Sequence, residues 1–161
     1  MSDLPEASRR LASSIDDFVM ATRVFPEGTK TAEDAARAVG CPVSAIVKSL
    51  VFVVIDDEGS EEPVVALVPG DLRLDTDRLA AVAGATGSRR ASLDEVRQAT
   101  GFAAGGTPPF GHARELRVFA DNGLRRNEPL WAAAGTPTTV FPISITDLDR
   151  LAKPVWEDLS E

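Results

Sequence analysis

Four glycines and two prolines fall within the thirteen residues from Thr100 to His112, a density that neither a helix nor a central strand accommodates. Glycine brings conformational freedom, and proline fixes φ and removes a donor, so this segment must follow one bent path between regular elements. The elements on either side have to fold so as to hold that path. Gly105 and Gly106 have no Cβ, which lets backbone N–H groups approach a bound group closely, and Pro108 and Pro109 stiffen the loop that presents them. Such a loop can cradle a carbonyl or phosphate oxygen, although the same composition also makes a plain surface loop. It lacks the lysine and Ser/Thr that complete a P-loop, which argues against an NTPase.

A second feature lies about fifty positions earlier, in Ala45-Ile46-Val47-Lys48-Ser49-Leu50-Val51-Phe52-Val53-Val54-Ile55. The run is built from buried-strand residues, yet Lys48 interrupts it. The protein has three lysines against fourteen arginines, so a lysine here suggests a task for a compact, flexible ammonium. The simpler alternative is a snorkelling side chain whose stem packs on apolar neighbours.

The composition narrows the choice of function. At 161 residues, 43% hydrophobic and 26% charged, the protein is expected to form a single domain spanning 1–161, with one core. A net charge of −8 argues against broad adhesion to nucleic acid and leaves room for contact with a short nucleic-acid end. Arg89-Arg90, Arg125-Arg126, Arg114 and Arg117 could form a small basic patch. Nothing in the sequence suggests a membrane span or an export signal, so a cytoplasmic protein is expected. One cysteine, Cys41, and one histidine, His112, do not make a metal cluster or a nucleophile–base pair recognisable in sequence; no metal and no cofactor is expected.

Local signals predict the elements. Leu11, Ile15, Phe18 and Val19 recur at helical spacing over residues 5–20, and Arg23 to Pro26 suggests a short strand. Thr31 caps a helix that Gly40 ends, and a second short helix is expected from Pro42 or Ser44 towards Lys48. Ser49 to Ile55 and Val64 to Val68 make a hairpin around a solvated acidic loop from Asp56 to Pro63. A helix is expected over about 76–83, and Ser92-Leu93-Asp94-Glu95 is a capping box for another ending near Gly101. Strands at Leu116–Phe119 and Thr138–Ile143 follow, separated by a turn at Asp121-Asn122-Gly123 and an apolar run at Leu130–Gly135, before a last helix near Thr146. This irregular alternation predicts a mixed sheet with peripheral helices.

In their order and spacing, several of these segments together resemble the YbaK-like family, also called the prolyl-tRNA synthetase-associated or editing-domain superfamily. They are Thr31 with its helix, Ile46 to Phe52, Arg73-Leu74-Asp75, Thr100-Gly101, Gly105 to His112, Asp121 and Ala133-Ala134-Gly135. The resemblance covers about residues 5–150. It implies an α+β fold, a large mixed, partly barrel-like β-sheet flanked by helices. It also implies a metal-independent hydrolase that acts in trans on the ester of mischarged aminoacyl-tRNA, above all tRNA for proline carrying a small wrong amino acid. By the same resemblance Lys48 contacts the phosphate or ribose of the terminal adenosine, and Gly105 and Gly106 orient and polarise the ester carbonyl. Thr31, Ser49, Thr107, Pro108, Phe110, Gly111, His112, Asp121 and Gly135 are the substrate-binding positions it implies. The expected partners are a tRNA acceptor end and, in addition, an aminoacyl-tRNA synthetase. Where the cysteine-clearing branch is expected to carry a serine and an aspartate, this protein has Ala133 and Val140, which points to sorting of acyl groups by size. The alternative is a non-catalytic module that binds an aminoacyl-adenosine-like ligand, a tRNA end or a synthetase.

Overall fold

The computed structural model describes Leu11, residues 22–25 and residues 31–161. The helix expected over residues 5–20 therefore lies outside the described residues apart from Leu11, as does Pro26 of the expected strand.

Two long strands organise the sheet. Strand β2 (Ile46–Ile55) and β3 (Glu61–Pro69), numbered after the short β1 (Arg23–Val24), pair antiparallel from Val47↔Pro69 to Ile55↔Glu61. Val64 to Val68 are fully buried at 0% exposure, which explains why this segment is an unbroken apolar run: both of its faces are covered. On one face, Val47, Val51, Val53, Val65 and Leu67 join a core cluster with Phe102, Phe110 and Phe141; on the other, Phe52, Val54, Val64 and Ala66 pack with Leu79 and Leu159.

Around this pair the sheet is mixed. Strands β4 (Gly87–Arg90), β5 (Arg117–Asp121), β6 (Leu130–Ala133), β7 (Thr139–Ile143) and β8 (Val155–Glu157) complete the order β1-β7-β6-β2-β3-β5-β8, with β4 also paired to β2. β2/β6, β3/β5 and β5/β8 run parallel, and the other pairs antiparallel. Among the described residues four helices flank it: α1 (Ala32–Val39), α2 (Thr76–Val82), α3 (Leu93–Thr100) and α4 (Ile145–Ala152). The predicted caps form. Thr31 Oγ1 accepts from Asp34 N–H at the start of α1, and at α3 Ser92 and Glu95 make the reciprocal capping box.

Three local expectations change. No helix leads to Lys48: a single 3₁₀ turn, Val43–Ala45, precedes β2, because the β-branched run from Ile46 is taken up by pairing with β3 and β6. Glu61 to Pro63 belong to β3 and not to the acidic loop, and Glu62 binds Arg117 of the neighbouring strand through two bonds of 2.8 Å. Strands β4 and β8 were not legible, since Gly-Ser-Arg-Arg and Val-Trp-Glu are too short to show a strand pattern and exist because a longer strand offers them an edge.

Asp121 ends β5 and is only 3% exposed. Its carboxylate accepts from Gly123 N–H (2.9 Å), Leu159 N–H (2.7 Å) and Ser160 N–H (3.1 Å), tying the C-terminal segment to the end of β5. Asp121→Ala strands three donors, two of them on the segment that carries fully buried Leu159. A loss of roughly 2–4 kcal/mol is expected from urea unfolding, with β8 exchanging its amide protons first.

Candidate functional site

Strand β2 shares one edge between two partners. Its first residues, Ile46 and Val47, pair with Trp131 and Ala132 of β6; its last four, Phe52 to Ile55, pair with Arg90 to Gly87 of β4. Between these pairings residues 48–51 have β3 on one side and, among the described residues, no strand on the other; only Val51 C=O is taken up there, by Ala91 N–H at 3.1 Å. A cavity of about 320 Å³ opens at this gap. It is lined from both faces of the sheet: Ile46, Lys48 and Leu50 with Ala32 and Ala35 of α1 on one side, Val47, Ser49 and Val51 with Val96 of α3 and Gly105 on the other.

Lys48 has its Nζ 2.6 Å from Leu72 C=O. Burial pushes its pKa below the ordinary lysine value; Glu33 and Asp71 oppose that shift, while Arg73 and Arg90 add to it. Asp71 is in turn gripped by Arg126 through bonds of 2.7 and 3.0 Å, and that guanidinium is the main cause of its lowered carboxyl pKa. The cavity thus has a positive mouth within an acidic protein. Most of the basic patch expected from sequence is committed elsewhere: Arg89 bridges Glu95, whose carboxyl it pulls down to about 2, Arg117 holds Glu62, and Arg125 stacks 3.9 Å above Trp156. Arg90, by contrast, lines the cavity and has no ion pair among the described residues.

The glycine loop is bound to itself. Gly106 N–H donates to Ala103 C=O at 3.0 Å, Thr107 Oγ1 donates to the same oxygen at 3.1 Å, and Ala113 N–H returns to Thr100 C=O at 2.8 Å. Gly105 adopts φ 86°, a left-handed conformation that favours glycine, and lines the cavity. Gly106 is glycine for another reason: a Cβ there would lie 2.6 Å from Thr136 Cα, so the loop and the β6–β7 turn need its absence to meet.

Of the positions expected from sequence, Thr31, Lys48, Ser49, Gly105 and Thr107 come together around the cavity. Gly106 stands behind it, its N–H already engaged. Pro108, Phe110, Gly111, His112 and Gly135 are not among the lining residues: Phe110 is buried edge-on to Phe141 at 6.0 Å, and Gly111 closes on Leu11. Asp121 is likewise off the cavity, holding the C-terminal segment. Ala133 and Val140 do line it, and they are register partners across β6 and β7. Sequence reasoning offered Arg90 only as part of a diffuse basic patch and assigned no role to the alanines of α1; no local signal marks either as lining this cavity.

These features define a class: an α+β domain whose helix-flanked mixed sheet opens at a divided strand edge into one apolar cavity with a cationic mouth. The aminoacyl-tRNA editing domain matches residues 26–151, and the protein belongs to that family. It is 30% identical over 137 residues to the uncharacterised YwhH of Bacillus subtilis (strain 168), covering 84% of this protein and 83% of that one. It is 34% identical over 103 residues to the proline–tRNA ligase of Thermosipho africanus (strain TCF52B), covering 64% of this protein and 17% of that much longer one. Among solved structures, a candidate trans-editing enzyme for prolyl tRNA synthetase superimposes with a TM-score of 0.86 at 36% identity, over 99% of both proteins. The fold is accordingly that of the editing domain, and none of the helices among the described residues is long and apolar enough to cross a membrane.

His112 shows how the loop is locked. Its Nε2 is 2.7 Å from Pro108 C=O, and because a carbonyl only accepts, Nε2 carries the proton. Burial lowers its pKa below the usual histidine value, against the raising effect of that bond. The unfolded protein therefore binds more protons than the folded one as pH falls through about 6.5, so stability rises with pH across that window. The unfolding midpoint of the wild type should drop from pH 7.5 to pH 5.5 by more than that of His112→Asn; equal drops would show that His112 is not the group responsible.

Proposed function

We propose that the protein is a trans-editing hydrolase that cleaves the ester linking a small, wrongly attached amino acid to the 3′ end of a tRNA, with tRNA for proline as the first candidate. One observation carries the reading: the cavity presents an ammonium and a glycine loop from opposite faces of the sheet, while among the described residues no carboxylate, cysteine or histidine lines it. Such a set of residues binds and orients, and offers no base at the reacting centre. An aminoacyl ester suits it, because the vicinal ribose hydroxyl can activate water or take part in acyl transfer, leaving the protein to position the ester and stabilise developing charge.

On this reading Lys48, released from Leu72, meets the terminal phosphate or ribose oxygens, with Arg90 and Arg73 extending the positive field along the single-stranded end. Gly105, rather than the hydrogen-bonded Gly106, offers its N–H towards the carbonyl. Small side chains (Ala32, Ala35, Ala104, Ala132, Ala133) and Val140 wall the acyl chamber. Apolar walls discriminate by size, about 1–3 kcal/mol per methylene, so graded activity on several small aminoacyl groups and exclusion of the prolyl ring are expected. The proline–tRNA ligases among the relatives support tRNA for proline. The acidic surface supports delivery by a synthetase, and the site of action is the cytoplasm.

The engaged Gly106 N–H favours a second reading, a module that binds an aminoacyl-adenosine without cleaving it. A deacylation panel separates the two: tRNA for proline charged with alanine, cysteine, serine and proline. Hydrolysis of alanyl- but not prolyl-tRNA supports the enzyme, whereas binding without turnover on every member supports the module.

Two variants follow. Lys48→Ala, folded by circular dichroism, should lose most single-turnover activity, and a wild-type rate would exclude Lys48 from the reaction. Gly106→Ala should act first on stability, lowering the unfolding midpoint, since its Cβ must displace the Thr136 backbone. A tRNA ending in 2′-deoxyadenosine should resist hydrolysis by the wild type; undiminished cleavage would mean that an enzyme group supplies the activation.

A further inference from the structure

The divided edge of β2 leaves Ser49 with all of its hydrogen-bonding capacity unused among the described residues. Val51 C=O accepts from Ala91 N–H and Ile55 C=O from Thr86 N–H, so odd-numbered residues of β2 turn their backbone groups towards the β4/β6 side. By the two-residue period of a strand, Ser49 does the same. Pairing with β6 stops at Val47↔Ala132 and pairing with β4 begins at Phe52↔Arg90, so Ser49 N–H and C=O face the gap between them with no strand partner among the described residues. Its hydroxyl is in the same condition: Ser49 Oγ is buried and has no hydrogen-bond partner. Buried polar groups are nearly always paired, and an orphan needs an explanation. Here all three polar groups of one residue are unpartnered on the wall of a cavity whose other walls are largely aliphatic.

We infer that Ser49 is the polar reader of the acyl group, accepting the substrate's α-amino group on its Oγ and its backbone carbonyl oxygen. The inference rests on the reading of this cavity as an acyl-ester site and adds the substrate feature recognised there. An α-amino group is a donor that needs acceptors, and among the described residues no carboxylate lines the cavity to provide them. Ser49 does so with neutral oxygens, which suits a pocket whose mouth is already cationic at Lys48 and Arg90. Apolar walls sort side chains by size; Ser49 then distinguishes an amino acid from an acyl group of the same size without an amine. A hydroxyl kept buried and unpaired in the free protein is a stability cost retained for a ligand.

The test compares alanyl- with isobutyryl-tRNA for proline, equal in size, the second carrying a methyl in place of the α-amino group and so no donor there, each rate divided by its uncatalysed rate. The wild type should favour the alanyl ester. Ser49→Ala should lower alanyl turnover by about fivefold to tenfold, the worth of one net hydrogen bond, while isobutyryl turnover falls no lower than that of the wild type. Ser49→Thr, which keeps the hydroxyl, should restore the preference. Because Oγ bonds nothing in the free fold, Ser49→Ala should unfold at the wild-type midpoint or above it; a clearly lower midpoint would mark Oγ as a structural group and overturn the inference. An unchanged alanyl-to-isobutyryl ratio in Ser49→Ala would overturn it too, while leaving the deacylase reading in place. If the wild type cleaves neither ester, the deacylase reading fails, and calorimetry of 3′-alanylamido- against 3′-isobutyrylamido-adenosine decides the role of Ser49: tighter alanyl binding lost in Ser49→Ala upholds it, and equal binding overturns it.

Discussion

The structure depends on the long antiparallel pairing of β2 with β3 and on what it leaves to the other edge of β2. Nine register pairs hold β2 against β3, whose centre, Val64 to Val68, is fully buried. With that side saturated, the opposite edge is taken by two strands that neither meet nor overlap, β6 at one end and β4 at the other. A sheet that divides in this way has an opening where backbone groups are unpaired and both faces are reachable. Ordinarily such groups are a liability, since orphaned amides and carbonyls cost free energy and invite association. Here α1, α3 and the glycine loop close around them, turning a sheet defect into a cavity.

Electrostatics at the opening follow from its depth. Lys48 sits where burial disfavours its charge, and the structure offsets this with a carbonyl acceptor and with Glu33 and Asp71 nearby. Arg126 holds Asp71, and through it the loop whose Leu72 carbonyl receives the ammonium. An ammonium that is partly desolvated and held by one exchangeable neutral acceptor is poised to exchange that acceptor for an anion. Arg89, Arg117 and Arg126 are each matched to a carboxylate at the surface, whereas Lys48 and Arg90 line the cavity with no ion pair among the described residues, so positive charge gathers at the mouth despite a net charge of −8.

The glycine loop contributes shape more than donors. Its internal bonds spend the Gly106 N–H, its left-handed Gly105 turns the backbone at the cavity wall, and Phe110 and Gly111 fasten its far end into the core beside Phe141 and Leu11. Rigid placement of a few groups would serve the proposed hydrolysis, because orientation and fixed dipoles are the means by which such a loop could lower a barrier.

Much of this was legible along the sequence. Helix caps, the β2/β3 hairpin and the bent path from Thr100 to His112 are local consequences of residue type, since a capping hydroxyl, a β-branched run or a Gly/Pro cluster acts on its own neighbours. The anomaly of Lys48 and the family resemblance borne by the motifs were also visible there. The two-strand division of one edge was not, because Gly-Ser-Arg-Arg has no strand signature and pairs with β2 only when both reach the same place in space. The same holds for which resembling positions share a cavity: Asp121 and Phe110 belong to motifs near the site in sequence, yet burial and long-range bonds assign them to the C-terminal clamp and the core. Residue identity, by itself, determined which groups could do chemistry in this protein. Tertiary pairing alone decided which were left unpaired, since a hydrogen bond is satisfied or orphaned only when the rest of the sheet has formed.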